Sequence, residues 1–260
     1  HCYFYEAGGY AAVAGVSVRF IQGERGIIRP EQIAPLVRPP DSHFAQSRLV
    51  VIENTHNRGG GSVYPVETVA AIGAECRRLG LQLHMDGARL FNACAATGAR
   101  PADYARHVDS VCVCLSKGLG CPVGSLIAGS ADFIRRAHRF RKMYGGGMRQ
   151  AGYLAAAGLY ALEQNVERLA EDHANARLLA DAVRRQPALR LKYDPPETNM
   201  VYIEVRPPLE ADAFQSALKE RGVLLSRTGP ATFRAVTHIG ITRAGIERAA
   251  AAIKGVARGA

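Results

Sequence analysis

A chain of 260 residues, 48% of them hydrophobic, is long enough to bury one large core or two unequal ones. No apolar run approaches the roughly 20 residues that span a bilayer and no secretory leader is visible, so a cytoplasmic, non-membrane protein is expected. The net charge of +10 invites a nucleic-acid reading, but the 33 basic residues are dispersed and no helix-turn-helix, zinc-finger or RNP pattern accompanies them.

The opening HCYFYEAGG starts at His1 rather than Met and reads as the middle of a longer segment, so an amino-terminal piece is expected to precede it. Residues 48–53 (RLVVIE) read as a buried strand, followed by a polar, glycine-rich loop over 54–61. A helix over 65–79 stops at Gly80, and a second strand over 81–85 ends at Asp86. Residues 110–115 and 124–128 are further strands. This strand–loop–helix rhythm predicts an α/β fold, a mostly parallel sheet flanked by helices. Alanine-rich helical sequence follows Gly147. Strands at 201–205, 224–227 and 235–239 and helices at 209–221 and 242–254 then suggest a small α+β unit. The expected division is a large domain over 1–170 and a small carboxyl-terminal domain over 175–260.

The six cysteines lack zinc-site spacing and the density of a secreted disulfide scaffold, so buried free thiols are expected and no metal site is. Cys112 and Cys114 would share one strand face.

The chemistry concentrates at strand ends. In Leu115-Ser116-Lys117-Gly118-Leu119-Gly120, a lysine leaves a buried strand and enters a close-approach glycine loop, a setting suited to Schiff-base chemistry. A solvated loop lysine is the competing reading. Asp86 ends the strand LQLHM; a carboxylate there can hold a pyridine nitrogen protonated and keep the ring an electron sink. A helix N-cap is its alternative role. Arg89 would share its face if the turn opens a helix. The spacing 117 − 86 = 31 leaves room for one helix and a returning strand, placing both residues at the sheet's carboxyl edge. His56, in a loop beyond a strand, would act as a base or orient a water; His1 would stack on a ring. Either is otherwise a polar loop residue. Arg234 suits a carboxylate substrate across a domain cleft, or else points to water. Lys142, Arg149 and the glycines between them would form a cationic loop fit for phosphate, or a plain basic surface.

The segments HCYFYEAGG, ENTHNRGGGSVYP, HMDGARLFNA, CLSKGLGCPVGS, RKMYGGGMRQAG, TNMV and RAVTH together resemble the low-specificity threonine aldolases, fold type I enzymes that use pyridoxal 5'-phosphate. They occur in that family's order over residues 1–238. The resemblance implies Lys117 as the lysine that holds the cofactor covalently, Asp86 as the partner of its ring nitrogen and Arg89 as a contact to its ring oxygen. It implies His1 stacked on the ring, His56 near the substrate hydroxyl and Arg234 on the substrate carboxylate. Lys142 and Arg149 would serve the phosphate from a neighbouring subunit, in a homo-oligomer, usually a dimer of dimers. The expected reaction is cleavage of a small amino acid substrate, threonine or allo-threonine, to glycine and an aldehyde. Two departures stand out: the family's opening glycine-threonine phosphate turn is not present, and Gly240 stands where the family usually carries aspartate. Related fold type I enzymes, such as β-eliminating lyases and aminotransferases, share the Lys, Asp and Arg parts; a non-catalytic or truncated relative is a further alternative.

Overall fold

A computed structural model describes residues 1–258. The chain opens with a single helical turn, α1 (Gly9–Ala12), and two 3-10 turns at Pro30–Gln32 and Ala34–Leu36. Then come β1 (Leu49–Glu53), α2 (Val66–Arg78), β2 (Gln82–Asp86), α3 (Leu90–Thr97), α4 (Pro101–Ala105), β3 (Ser110–Cys114) and β4 (Ser125–Gly129). These strands form one sheet in the order β1-β2-β3-β4, the first two pairings parallel and the last antiparallel. The mostly parallel sheet is thus present, and it follows from helical crossovers between β1, β2 and β3.

Local signals explain the crossovers. Gly80 ends α2 in a left-handed conformation (φ 68°), and the N–H groups of Gly80 and Leu81 bond back to the carbonyls of Arg77 and Cys76. Val69, Ile72 and Cys76 of α2 recur at helical spacing and pack on Val50, Ile52, Leu83, Met85 and Val111 of the sheet. Leu90 and Cys94 of α3 and Tyr104 of α4 complete that core. The opposite face is covered less: Leu49 and Val51 are 56% and 43% exposed. Helical cover therefore lies over one face of β1 and not the other, although the unbroken LVVI run is apolar enough for both.

The remaining elements are α5 (Ala131–Met143), α6 (Gly152–Gln164), α7 (Leu169–Arg184), β5 (Leu189–Leu191), β6 (Met200–Val205), α8 (Ala211–Glu220), β7 (Ser226–Gly229), β8 (Thr232–Val236) and α9 (Arg243–Arg258). A second, antiparallel sheet runs β5-β6-β8-β7, and α7, α8 and α9 pack on it around Phe214, Ile203 and Phe233. The two sheets meet through side chains: Thr198 donates to the Gly61 carbonyl at 2.9 Å, and the Glu197 carboxylate accepts the Val63 N–H at 2.8 Å.

Three expectations shift. The last strand was expected at 235–239 but lies at Thr232–Val236, because Phe233 and Ala235 point inward while Ile239 is exposed. Lys142 belongs to the last turn of α5, so the expected cationic loop is half helix, its N-terminus capped by the Ser130 hydroxyl. Only three of the free cysteines are buried (Cys76, Cys94, Cys121); Cys112 and Cys114 are half-buried and Cys2 is exposed.

Candidate active site

Strand register puts Glu53, Asp86 and Cys112 in one row across three parallel strands: Glu53 pairs with Asp86, and Asp86 with Cys112. Alternation along each strand turns these side chains away from the face that carries Ile52, Met85 and Val111. Asp86 is the last residue of β2 and not a helix cap; α3 starts at Leu90 with Arg89 at its N-cap. Arg89 therefore precedes the helix, and it shares no helical face with Asp86. One Asp86 oxygen, Oδ1, accepts the Ala88 N–H at 3.1 Å and lies 3.7 Å from the Cys112 thiol. The other, Oδ2, lies 3.9 Å from the Cys2 thiol.

Glu53 turns to the other side. Its Oε1 accepts the Asn57 backbone N–H and contacts His1 Nδ1, each at 2.9 Å. The Asn57 amide nitrogen lies 3.1 Å from His1 Nε2 and donates to it, so the neutral His1 ring carries its proton on Nδ1, toward Glu53. Asn57 Oδ1 accepts Arg234 Nη1 at 2.7 Å, and the Asn57 carbonyl accepts the Tyr202 hydroxyl at 2.9 Å. Asn57 thereby ties the loop after β1 to β6 and β8 of the second sheet. A cleft of about 500 Å³ opens there, lined among others by His1, Tyr5, Asn57, Arg58, Tyr202 and Arg234.

Among the described residues neither Arg89 nor Arg234 has an ion pair, and Arg234 Nε is buried with no hydrogen-bond partner. Burial, reinforced by the nearby Arg234 charge, pushes the Arg89 guanidinium below its ordinary value. The Glu53 charge offsets part of that cost for Arg89, and the orphaned Arg234 Nε leaves a donor free for an anion.

His56 packs its ring over Gly26, where a Cβ would meet the ring at 2.2 Å. Its Nδ1 accepts the Gly59 N–H at 3.0 Å, so the proton of the neutral ring sits on Nε2. Burial lowers its pKa and favours that neutral form. Lys117 is exposed in the turn after β3, and its amine is free of hydrogen bonds and ion pairs among the described residues. The turn itself is firm. Lys117 O accepts the Gly120 N–H at 3.0 Å, Asn165 donates to the Leu119 carbonyl at 2.8 Å, and a Cβ on Gly118 would lie 2.8 Å from Leu169 and 3.1 Å from Asn92.

The structure thus gathers His1, Asp86, Arg89 and Arg234 about one corner, with Lys117 on the loop of the strand adjacent to Asp86. Lys142 and Arg149 are exposed and bond to none of these residues. Sequence reasoning passed over Glu53, Asn57 and Tyr202. The ENTHN run held the first two in view, but nothing in it signals partners 145 and 177 residues further on.

Residues 1–206 match the beta-eliminating lyase family. The chain is 42% identical over 252 residues to the low specificity L-threonine aldolase of Escherichia coli strain K12, an alignment covering 96% of this chain and 73% of that protein. The chain belongs to this family. A family member from Arabidopsis thaliana, low-specificity L-threonine aldolase 1, is 40% identical over 93% of this chain and 69% of its own length. Among solved structures, the threonine aldolase of Leishmania major superposes with a TM-score of 0.84, covering 99% of this chain and 75% of that one. At 22% identity that likeness establishes the shared fold.

Proposed function

We propose that this chain is a pyridoxal-phosphate-dependent carbon–carbon lyase, cleaving L-threonine, L-allo-threonine and related β-hydroxy-α-amino acids to glycine and an aldehyde. The observation that carries the reading is the pair of guanidiniums, Arg89 and Arg234, left without carboxylate partners beside Asp86 at the sheet's carboxyl edge. The family's naming as threonine aldolases in bacteria and plants supports the choice of substrate.

The residues fit the cofactor. Asp86 Oδ2 has only a thiol near it, which leaves a lone pair for a ring N–H; Lys117 offers an unengaged amine on the next strand's loop; Arg234 Nε is an orphan donor. Pyridoxal phosphate, when bound, supplies an aldehyde that condenses with amines and a ring that withdraws the electron pair released as Cα–Cβ breaks. Asp86 would hold the ring nitrogen, Lys117 the aldehyde carbon, Arg89 the ring oxygen, and His1, fixed by Glu53 and Asn57, would lie on the ring face. Lys142 and Arg149 are assigned to the phosphate, offered from a neighbouring subunit.

Arg234, steadied by Asn57 and Tyr202, would bind the substrate carboxylate and so limit the rotation of the amino acid in the site. His56 serves the β-hydroxyl. Because Nδ1 is occupied by the Gly59 N–H, its Nε2–H donates, and the ring orients a hydroxyl or a water that carries the proton away rather than taking that proton itself.

We further read residues 1–170 as the cofactor domain and 175–260 as the small domain, and the enzyme as a cytoplasmic homotetramer. No helix among the described residues is long and apolar enough to cross a membrane. The exposed apolar side chains of β4, α5 and α6, among them Leu126, Ile127, Phe140, Met143 and Tyr160, support association with further copies. The deciding assay incubates the protein with pyridoxal phosphate and L-threonine, trapping acetaldehyde and quantifying glycine in equal amounts. Keto-acid formation, or glycine without acetaldehyde, rejects the reading. Borohydride reduction and peptide mapping should place the label on Lys117.

A further inference from the structure

Resting on that reading of Asp86, we propose that Cys112 and Cys2 are its positioning residues, two neutral thiols that donate S–H to the two carboxylate oxygens and hold the carboxylate in the plane its ring-nitrogen partner requires.

The geometry is bilateral. Cys112 is the register partner of Asp86 on the adjacent strand, so its side chain emerges on the same face, with Sγ 3.7 Å from Oδ1. Cys2 approaches from the opening segment, with Sγ 3.9 Å from Oδ2. The approach of Cys2 is secured by its neighbour, since the His1 ring is pinned between Glu53 and Asn57. Backbone geometry fixes Cys112 in the same way: its carbonyl accepts the Gly87 N–H at 2.8 Å, and a Cβ on Gly87 would lie 2.6 Å from that oxygen. Apart from the Ala88 N–H, these two thiols are the only donors to the Asp86 carboxylate among the described residues.

Protonation agrees with the role. Partial desolvation of the sulfurs, although Cys2 as a whole is exposed, and then the Asp86 charge push both thiols up, Cys112 to about 11, so each keeps its hydrogen at neutral pH. A thiol is a weak donor, and this matters chemically. Further strong donors beside the Ala88 N–H would compete with a ring N–H for the carboxylate lone pairs; two thiols orient the group and compete weakly. The same raised values make these cysteines slow nucleophiles, which argues against a redox or covalent role.

The test begins on the full chain without added cofactor. Peptide-resolved labelling with iodoacetamide at pH 8 is compared between the wild type and Asp86→Asn, with buried Cys76 as the internal standard for intact folding. Removing the charge should speed labelling of Cys2 and Cys112 severalfold, because the Asp86 charge is one of the causes that holds both thiols protonated. Equal rates in the two proteins, with Cys76 protected in both, overturn the proposal. The second arm measures pyridoxal phosphate binding by equilibrium dialysis. Cys112→Ala should weaken binding about threefold to tenfold, the value of one modest hydrogen bond from a weak donor, and Cys112→Ser, which retains a donor, should restore it. Loss in both variants, or in neither, overturns the proposal. Should wild-type protein take up no pyridoxal phosphate while the labelling contrast holds, the cofactor reading fails, and with it the role claimed for the thiols toward a ring nitrogen; the labelling arm then identifies which of the two has fallen.

Discussion

His173 lies on α7, 3% exposed, with Nε2 accepting from the Asn92 amide of α3 at 3.1 Å. Burial, then the nearby Arg177 charge, lowers its pKa from 6.5 to about 4. The unfolded chain binds a proton at this position near pH 6.5, and the folded protein resists doing so until about pH 4. Between those values the unfolded state holds more protons, so stability rises with pH and is lost as pH falls. The full difference of 2.5 pH units corresponds to about 3 kcal/mol, of which about 2 kcal/mol is already gone at pH 5. The consequence reaches the Lys117 turn, since Asn92 also lies against Gly118. Urea unfolding at pH 7.5 and pH 5.0 measures the loss, with His173→Gln as the non-titrating comparison. The variant should be less stable at pH 7.5 but lose about 2 kcal/mol less on acidification. If both proteins weaken equally between the two pH values, protonation of His173 is not what acid acts on.

With Arg234 as the proposed substrate-carboxylate residue, Arg234→Gln should cut kcat/KM for threonine by about 100-fold or more and Arg234→Lys should recover little, and steady-state kinetics of both variants check this. Gly118→Ala inserts a methyl 2.8 Å from Leu169 and should destabilise by about 1–3 kcal/mol, read as a fall in the thermal midpoint. Asp172, fully buried and paired with Arg168 at 2.7 Å, should cost about 3–5 kcal/mol when changed to Ala, seen in denaturant titration; a loss below 1 kcal/mol would show that the pair is solvated. Asn57→Ala should lower kcat more than it raises KM, because His1 and Arg234 lose their shared support without losing their own contacts to ligand.

The central strands were legible because periodicity alone defines them: apolar runs bounded by glycine and acidic residues fall within a residue or so of β1, β2 and β3. The placement of Asp86 and Lys117 on adjacent strand ends was legible too, since one helical crossover fixes that geometry. The hub around Asn57 was not. A polar residue in a glycine-rich loop carries no local mark of the strand that will meet it, and Tyr202 read only as part of the apolar run VYIEV. β5 escaped because three residues give no period to detect. The thiols read as buried core groups, and only the register of β2 on β3 shows that Cys112 stands beside a carboxylate.

The Asn57 junction has a bearing on how the enzyme comes to life. One of its amide atoms faces His1 at the first sheet, the other faces Arg234 of the second, so neither half of the molecule owns the pocket. The pocket therefore exists only while the loop after β1 stays seated against β6 and β8.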